Sequence, residues 1–183
     1  MRTVVLSALD DAHFVSQRLR TQLEEGRDSV AWVDLADLEF QACIACGACN
    51  TTGRCVLPDD LTAVVAGLHA CDRLVLVTPI FIGVHHPLMK KAVDRLMPLG
   101  GTRFTVRHGE MHHRSRMVSP FTLVGIGCVD GAALGEEDQT FERLIARHAV
   151  NLGCPRDAAV VVHGPDDLAA ILRDAFRETG GPT

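Results

Sequence analysis

RLVLVT, residues 73–78, is an almost continuous apolar run within a chain of 183 residues. A strand that lies between two layers of helices has both faces buried, so its sequence shows no alternation of polar and apolar residues. The run therefore predicts a central strand of a parallel sheet. Pro79 follows it and lacks the N–H group that a sheet ladder requires, so we expect the strand to end there.

Strands and helices alternate on both sides of this run. The predicted strands cover residues 3–7, 29–35, 73–78, 121–126 and 158–162, and the predicted helices begin near residues 14, 58, 88, 141 and 168. Five such units predict a doubly wound α/β fold of three layers, with parallel strands in the order 2-1-3-4-5. The ligand crevice of this order is formed by the segments after strands 1, 3 and 4, here residues 7–14, 78–86 and 125–131.

Composition and charge exclude several classes of protein. With 47% hydrophobic and 22% charged residues, the sequence predicts one globular domain over residues 1–179 and a frayed tail over residues 180–183. A net charge of -5 argues against nucleic-acid and membrane-surface binding, and we interpret the basic stretch 103–116 as a solvated loop. No apolar run is long enough for a membrane span and no signal peptide is evident, so we expect a cytoplasmic protein.

Four of the seven cysteines, Cys43, Cys46, Cys49 and Cys55, have the spacing C-x2-C-x2-C-x5-C inside a predicted loop, residues 41–57. Two successive x2 spacings allow three thiolates to converge on one inorganic centre, and the fourth completes the coordination. We interpret the motif as a [4Fe-4S] site. Zinc and a loop that binds nothing remain alternatives, although zinc sites usually combine two separate C-x2-C pairs.

The segment after the central strand resembles a known family. TPIFIG at residues 78–83, with Lys90, Asp94 and Arg95, resembles the T-P-[IV]-Y-[FW]-G…K…D-R pattern of the flavodoxin-fold NAD(P)H-dependent FMN reductases. The cysteine motif followed by VLPDD at residues 56–60 is similar to the iron-sulfur flavoprotein branch. The resemblance implies a flavodoxin-like fold, bound FMN, and an isoalloxazine ring beside residues 78–83.

The residues that we expect to contact the flavin lie along the three walls of the crevice. They are Ser7, His13, Phe14, Thr78, Pro79, Ile80, Phe81, Ile82, Gly83, Gly127 and Cys128. The first turn departs from the family pattern, because it has no glycine and carries Asp10 and Asp11 where the phosphate binds in that family. These carboxylates either repel the phosphate or cap the following helix, so we expect weak FMN binding. The chain contains no tyrosine, which excludes a tyrosine lid on the ring.

The histidines and remaining cysteines allow several interpretations. His85 and His86 are either ligand or subunit contacts or solvated side chains at a helix start. His108 and His112 have the spacing of metal ligands on a helix, and residues 111–114 are candidates for the crevice. Cys71 and Cys154 are interpreted as structural thiols. The long connection 98–120 is a candidate lid or subunit contact, so we expect a homodimer or a dimer of dimers.

The sequence therefore favours an iron-sulfur flavoprotein that passes electrons between NAD(P)H or another reductant, FMN and a [4Fe-4S] cluster. No residue is nominated as a general acid or a nucleophile, because the cofactors would carry the chemistry. Two alternatives remain. One is a cluster-free NAD(P)H:FMN or quinone reductase with vestigial or zinc-binding cysteines. The other is a noncatalytic flavodoxin-fold subunit that has lost FMN.

Overall fold

The computed structural model describes residues 1–26, 28–129, 136–165 and 168–178. The strands are β1 (Arg2–Ser7), β2 (Ser29–Asp34), β3 (Arg73–Phe81), β4 (Val84–His85), β5 (Gly100–Arg107), β6 (Glu110–Ser115), β7 (Thr122–Cys128) and β8 (Arg156–Val162). The α-helices are α1 (Phe14–Glu25), α2 (Ala48–Thr52), α3 (Asp60–Leu68), α4 (Pro87–Val93), α5 (Glu137–Leu152) and α6 (Leu168–Glu178). Short 3-10 helices cover Leu35–Asp37 and Asp94–Leu99. The predicted tail and the end of the third crevice wall, at Gly131, lie outside the described residues.

The main sheet has the strand order β2-β1-β3-β7-β8, and all neighbouring pairs in this order are parallel. Counted among these five strands alone, the order is 2-1-3-4-5, so the predicted topology is confirmed. Residues 74–77 of β3 are completely buried, as expected for a strand covered on both faces. Leu74 and Leu76 pack with α3, α4 and α5, whereas Val75 and Val77 pack with α1 and α6. The three-layer prediction is thus confirmed as well.

The prediction that Pro79 ends the central strand is wrong, because β3 continues to Phe81. Val77 directs its carbonyl toward the β1 side, where it accepts a hydrogen bond from the N–H of Ala8 at 2.8 Å. Pro79 is two residues later and therefore faces the same side, beyond the last pair between β1 and β3 at Ser7 and Val77. The missing N–H costs no ladder bond there, and pairing with β7 continues as far as Pro79 and Cys128.

The connection 98–120, which includes the basic stretch 103–116, contains two β-strands. β5 and β6 form a separate antiparallel hairpin, whose turn contains His108 and Gly109 at φ values of 50° and 80°. Arg107 of this hairpin donates a hydrogen bond to the carbonyl of Val150 on α5 at 3.0 Å. His108 and His112 lie in a hairpin, where the helical spacing of metal ligands does not apply. The interpretation of the basic stretch as a solvated loop is therefore wrong.

No helix in the described part of the chain combines the length and the apolar character that a membrane span requires.

The packing of β7 against α5 leaves no room for a side chain at Gly125. An added Cβ at this position would lie 2.4 Å from Cγ1 of Ile145, inside the fully buried core. We expect Gly125→Ala to lower the free energy of unfolding by about 1–3 kcal/mol through overpacking. Gly67 on α3 is the matched control, because an added Cβ there meets nothing within 4 Å. Gly67→Ala should raise stability by about 0.5–1 kcal/mol, and urea denaturation measures both. Equal effects of the two changes would contradict this packing.

Candidate functional site

The end of β3 and the turn after it carry two exposed apolar side chains at the carboxyl edge of the sheet. Phe81 is 56% exposed and Ile82 is 79% exposed. Ile82 also has a φ of 51°, a left-handed conformation that is unfavourable for a β-branched residue. The apolar surface that sequence analysis expected beside a ring is therefore accessible at this edge. Ile80 is buried below it, as are Gly127 and Cys128, which lie within β7 rather than beyond it.

Gly83 holds this loop against α5. Its φ is 74°, and an added Cβ would lie 2.5 Å from Cβ of Thr140 and 3.0 Å from the carbonyl oxygen of Glu137. Only glycine combines this backbone conformation with so close an approach. The position of Phe81 and Ile82 thus depends on contact between Gly83 and the start of α5.

The hydroxyl groups of Ser7 and Thr78 are turned inward. Ser7 Oγ donates to the carbonyl of Leu9 at 3.0 Å and accepts from its N–H at 3.2 Å. Thr78 Oγ1 donates to the carbonyl of Pro79 at 2.8 Å and accepts from the N–H of His86 at 3.1 Å. Both side chains are completely buried. They shape the loops on either side of the crevice, and their hydroxyl groups are engaged within the protein.

The first turn is organised by His13 rather than by the two aspartates. His13 caps α1, because its Nδ1 accepts a hydrogen bond from the N–H of Val15 at 3.2 Å, and its ring stacks on Phe14 at 4.6 Å. The capping interpretation of Asp10 and Asp11 is therefore wrong. Asp11 instead forms an ion pair with Arg20 at 2.5 Å. Because Asp10 and Asp11 are both exposed at this turn, their charge remains available to act on a nearby anion.

A third carboxylate, Asp34, belongs to the same corner. Asp34 pairs with Ser7 in the register of β2 against β1. Burial raises the pKa of Asp34, and the nearby carboxylates of Asp37 and Asp11 raise it further. Sequence analysis missed Asp34. The predicted pairing of strands 1 and 2 is a signal that could have identified it, because it places the end of strand 2 beside Ser7. The corner is thus more acidic than Asp10 and Asp11 alone suggest.

His85, which is buried, and His148, which is half-buried, are in contact behind the loop. Their Nε2 atoms are 2.9 Å apart, and the two rings stack with a centroid distance of 5.1 Å. Burial lowers the pKa of His85 to about 4, and it also lowers the pKa of His148. His85 is therefore a core residue, neither a solvated side chain nor an exposed ligand contact. His86 caps α4 through Nδ1, which accepts from the N–H of Leu88 at 3.2 Å.

The segment 111–113 lies apart from the crevice loops. Met111, His112 and His113 line a cavity of about 370 Å³ together with residues of α4 and α5, among them Lys90 and His148. None of the residues lining this cavity belongs to the three crevice segments. The structure therefore does not bring this segment to the candidate flavin edge.

The four cysteines of the motif line one small cavity. It measures about 20 Å³ and is also lined by apolar residues, namely Ile44, Val56 and Leu57. The loop folds around α2, with Gly47 before the helix at a φ of 71° and Gly53 after it at 72°. Cys43 and Cys46 are exposed, while Cys49 and Cys55 are partly buried. All four cysteines of the motif thus border the same cavity.

The four thiols are the type of donor that both an iron-sulfur cluster and a zinc ion require. Burial raises the pKa of the Cys49 thiol, and the thiols of Cys55, Cys43 and Cys46 add to this shift, as expected when four sulfurs face each other. Among the described residues, no three His, Cys, Asp or Glu side chains are arranged to hold one metal ion.

The other thiols lie elsewhere in the fold. Burial raises the pKa of Cys71 to about 11 and raises the pKa of Cys154 still more. Such thiols are inert toward metals and oxidants at neutral pH. This environment supports the interpretation of both as structural residues.

Comparison with known proteins adds family information to this geometry. The model of the family described as NADPH-dependent FMN reductase matches residues 11–153. An iron-sulfur flavoprotein of Methanocaldococcus jannaschii is 31% identical over 85 residues, which cover 46% of this chain and 44% of the relative. An iron-sulfur flavoprotein of Methanosarcina thermophila is 28% identical over 76 residues, or 42% of this chain and 40% of the relative. The matched segments thus span less than half of each relative.

Solved structures share the fold at low sequence identity. An NAD(P)H:quinone oxidoreductase from Methanothermobacter marburgensis has a TM-score of 0.65 and 14% identity, and the match covers 98% of this chain and 95% of that one. An FMN-dependent NADH-azoreductase from Bacillus anthracis in complex with FMN has a TM-score of 0.64 and 10% identity, covering 98% and 100% of the two chains. The flavodoxin-like architecture therefore extends over nearly the whole sequence.

The contact between His85 and His148 predicts a loss of stability in acid. The pKa of His85 is about 4 in the folded protein, whereas an unperturbed histidine has a pKa of 6.5, so the unfolded chain binds the proton more readily. This contribution to stability is complete above pH 6.5 and is lost as the pH falls toward 4, by up to ~3 kcal/mol. Urea denaturation between pH 7 and pH 4 should show a steeper loss in the wild type than in His85→Gln. His108→Asn, at the exposed hairpin turn, should keep the wild-type slope.

Proposed function

Because the chain belongs to the NADPH-dependent FMN reductase family, we propose that it is a redox protein of the iron-sulfur flavoprotein type. It binds FMN at the carboxyl edge of the sheet and a [4Fe-4S] cluster in the cysteine loop. Electrons pass between NAD(P)H or another reductant, the flavin and the cluster. Bound FMN supplies the conversion between two-electron and one-electron transfer.

One observation carries this proposal: all four cysteines of the motif line the same cavity. Cys43, Cys46, Cys49 and Cys55 are the cluster ligands. Aliphatic side chains line the same cavity, and solvent exposure is one of the factors that set the potential of a cluster.

The protein contributes position and environment at the flavin edge. Phe81 and Ile82 provide apolar contact for the ring, and Gly83 and His85 hold their loop against α5. The start of α1, with its cap His13, is the part of the site that would hold the phosphate. No side chain needs to act as a general acid or a nucleophile, so the catalytic contribution of these residues is orientation.

The acidic corner weakens the binding of FMN. Asp11 and Asp34 stand beside the helix start that would hold the phosphate, and only Arg20 offsets Asp11 through a direct ion pair in the described structure. The corner also favours a second candidate function, that of a noncatalytic flavodoxin-fold subunit without FMN. The cluster-free reductase remains the alternative if the loop holds zinc or no metal.

We also propose that the protein forms a homodimer through the hairpin of β5 and β6. Phe104, Val106 and Met111 are exposed apolar residues, and Val106 and Met111 are paired across the two strands. An apolar face of this kind is typical of a surface that a partner covers. A second copy would cover the same face by symmetry.

The cluster is tested by metal and sulfide analysis of protein purified without oxygen. Replacing Cys43, Cys46, Cys49 or Cys55 by alanine should lower iron and acid-labile sulfide together, because each thiolate binds one iron of the same centre. Cys154→Ala is the control and should keep the wild-type content of both. Wild-type protein that contains stoichiometric zinc without sulfide would favour the cluster-free alternative and contradict the proposal.

Flavin binding is tested by comparing FMN with riboflavin, which lacks the phosphate. The double change Asp10→Asn, Asp11→Gly removes two carboxylates and frees Arg20, so FMN binding should tighten by about tenfold and riboflavin binding should change less. Asp174→Asn, on α6, should alter neither affinity. Equal changes for both ligands would show that the carboxylates do not act on the phosphate. If neither ligand bound at millimolar concentration, the noncatalytic subunit would replace the present proposal.

The homodimer is tested by light scattering at micromolar concentration. We expect twice the chain mass of 19.8 kDa for the wild type. Val106→Glu should shift the mass toward the monomer, because it places a charge in the apolar contact. A wild-type mass equal to one chain would rule out this interface.

A further inference from the structure

The guanidinium of Arg95 is buried at the base of the cysteine loop. The residue is only 2% exposed and forms a two-point ion pair with Asp59, in which its two terminal nitrogens lie 2.7 and 2.8 Å from the carboxylate oxygens. The Arg95 guanidinium keeps the pKa of Asp59 well below its usual range. The pair therefore stays ionised at neutral pH, inside a part of the protein from which water is largely excluded.

This pair holds both ends of the cysteine loop. At the start of the loop, Arg95 donates to the carbonyl of Gln41 at 2.7 Å, and Asp59 accepts from the N–H of Gln41 at 3.1 Å. At the end of the loop, Arg95 donates to the hydroxyl of Thr62 at 2.8 Å, and Thr62 donates to the carbonyl of Leu57 at 2.7 Å. The two chain positions that enclose the cysteines are thus fixed to one buried cation.

Arg95 is also a neighbour of the cysteines themselves. The hydrogen bond with Asp59 raises the pKa of Arg95 most, and the Cys55 thiol contributes to the same shift. The remaining guanidinium donor, Nε–H, is buried and has no acceptor among the described residues. The positive charge of Arg95 is thus close enough to Cys55 to interact with that thiol.

We propose that Arg95 is a positioning residue of the cysteine loop, which fixes the loop before a cluster binds and raises the reduction potential of the bound cluster. The inference rests on the proposed cluster and adds a separate role to a residue that is not a ligand. A nearby positive charge stabilises the more negative, reduced form of a cluster, so the potential rises. A planar guanidinium suits the first role, because it bonds two chain segments and a carboxylate at once.

The first experiment measures the loop in full-length protein prepared without metal. Arg54 is an exposed trypsin site within the loop, and Arg103 in the hairpin is an internal reference. Arg95→Lys keeps the charge but loses the forked hydrogen bonds, so cleavage after Arg54 relative to cleavage after Arg103 should become roughly tenfold faster or more. Wild-type cleavage rates in the Arg95→Lys protein would overturn the role in holding the loop.

The second experiment measures the reduction potential of protein reconstituted with ferrous iron and sulfide. Arg95→Gln removes a positive charge and should lower the potential, whereas Asp59→Asn removes a negative charge and should raise it. The double change Arg95→Gln, Asp59→Asn restores the charge balance and should return the potential toward the wild-type value. A purely structural role would shift both single variants in the same direction, and that result would overturn the role in setting the potential.

The outcomes separate this inference from the proposed function. If wild-type protein takes up no cluster, the proposed function fails, and the trypsin experiment still decides whether Arg95 holds the loop. If the wild type takes up the cluster and the two single variants do not shift its potential in opposite directions, only the present inference fails. Should Arg95→Gln not fold, because Asp59 is left buried and unpaired, Asp59→Asn and the double variant supply the same comparison.

Discussion

The burial of β3 on both faces is the constraint from which the rest of the structure follows. Residues 74–77 are completely buried between two helical layers, and the strand pairs in parallel with β1 and β7. Parallel pairing brings the carboxyl ends of the three strands to one edge, so the segments after them must meet there. The polar groups of those segments then have few partners other than each other, which explains why the hydroxyl groups of Ser7 and Thr78 are engaged with neighbouring backbone.

Two buried polar contacts attach the functional loops to this frame, and they differ in charge. The loop after β3 is held by neutral imidazoles, His85 and His148, which cost little to bury but lose their contact in acid. The cysteine loop is held by the ion pair of Arg95 and Asp59, which is costly to bury but insensitive to pH near neutrality. The two loops therefore respond differently to acid, although the residues that hold them, His85 and Arg95, lie just before and just after α4.

Local sequence predicted the elements, and its failures involve contacts between distant segments. The apolar run at residues 73–78 and the cysteine spacing are local patterns, and they identified the central strand and the residues around one cavity. The prediction for Pro79 was wrong because a strand tolerates proline where no neighbouring strand needs its N–H, and this depends on where β1 ends. His13 and the neighbouring aspartates are all able to cap a helix, so sequence could not choose between them. Arg95 appeared in a family pattern, but its partners lie 33 to 54 residues away in sequence.

The magnitudes at the flavin edge indicate which part of the cofactor the protein recognises. Covering a side chain such as Phe81 or Ile82 contributes up to about 1.5–3 kcal/mol each. Repulsion between a phosphate and the partly screened carboxylates of the acidic corner costs about 1–2 kcal/mol. The apolar contact therefore exceeds the repulsion, so the ring would determine whether a flavin binds and the phosphate would contribute little. A protein of this kind would exchange its flavin readily, whereas the cysteine loop, fixed at both ends, would retain a bound cluster.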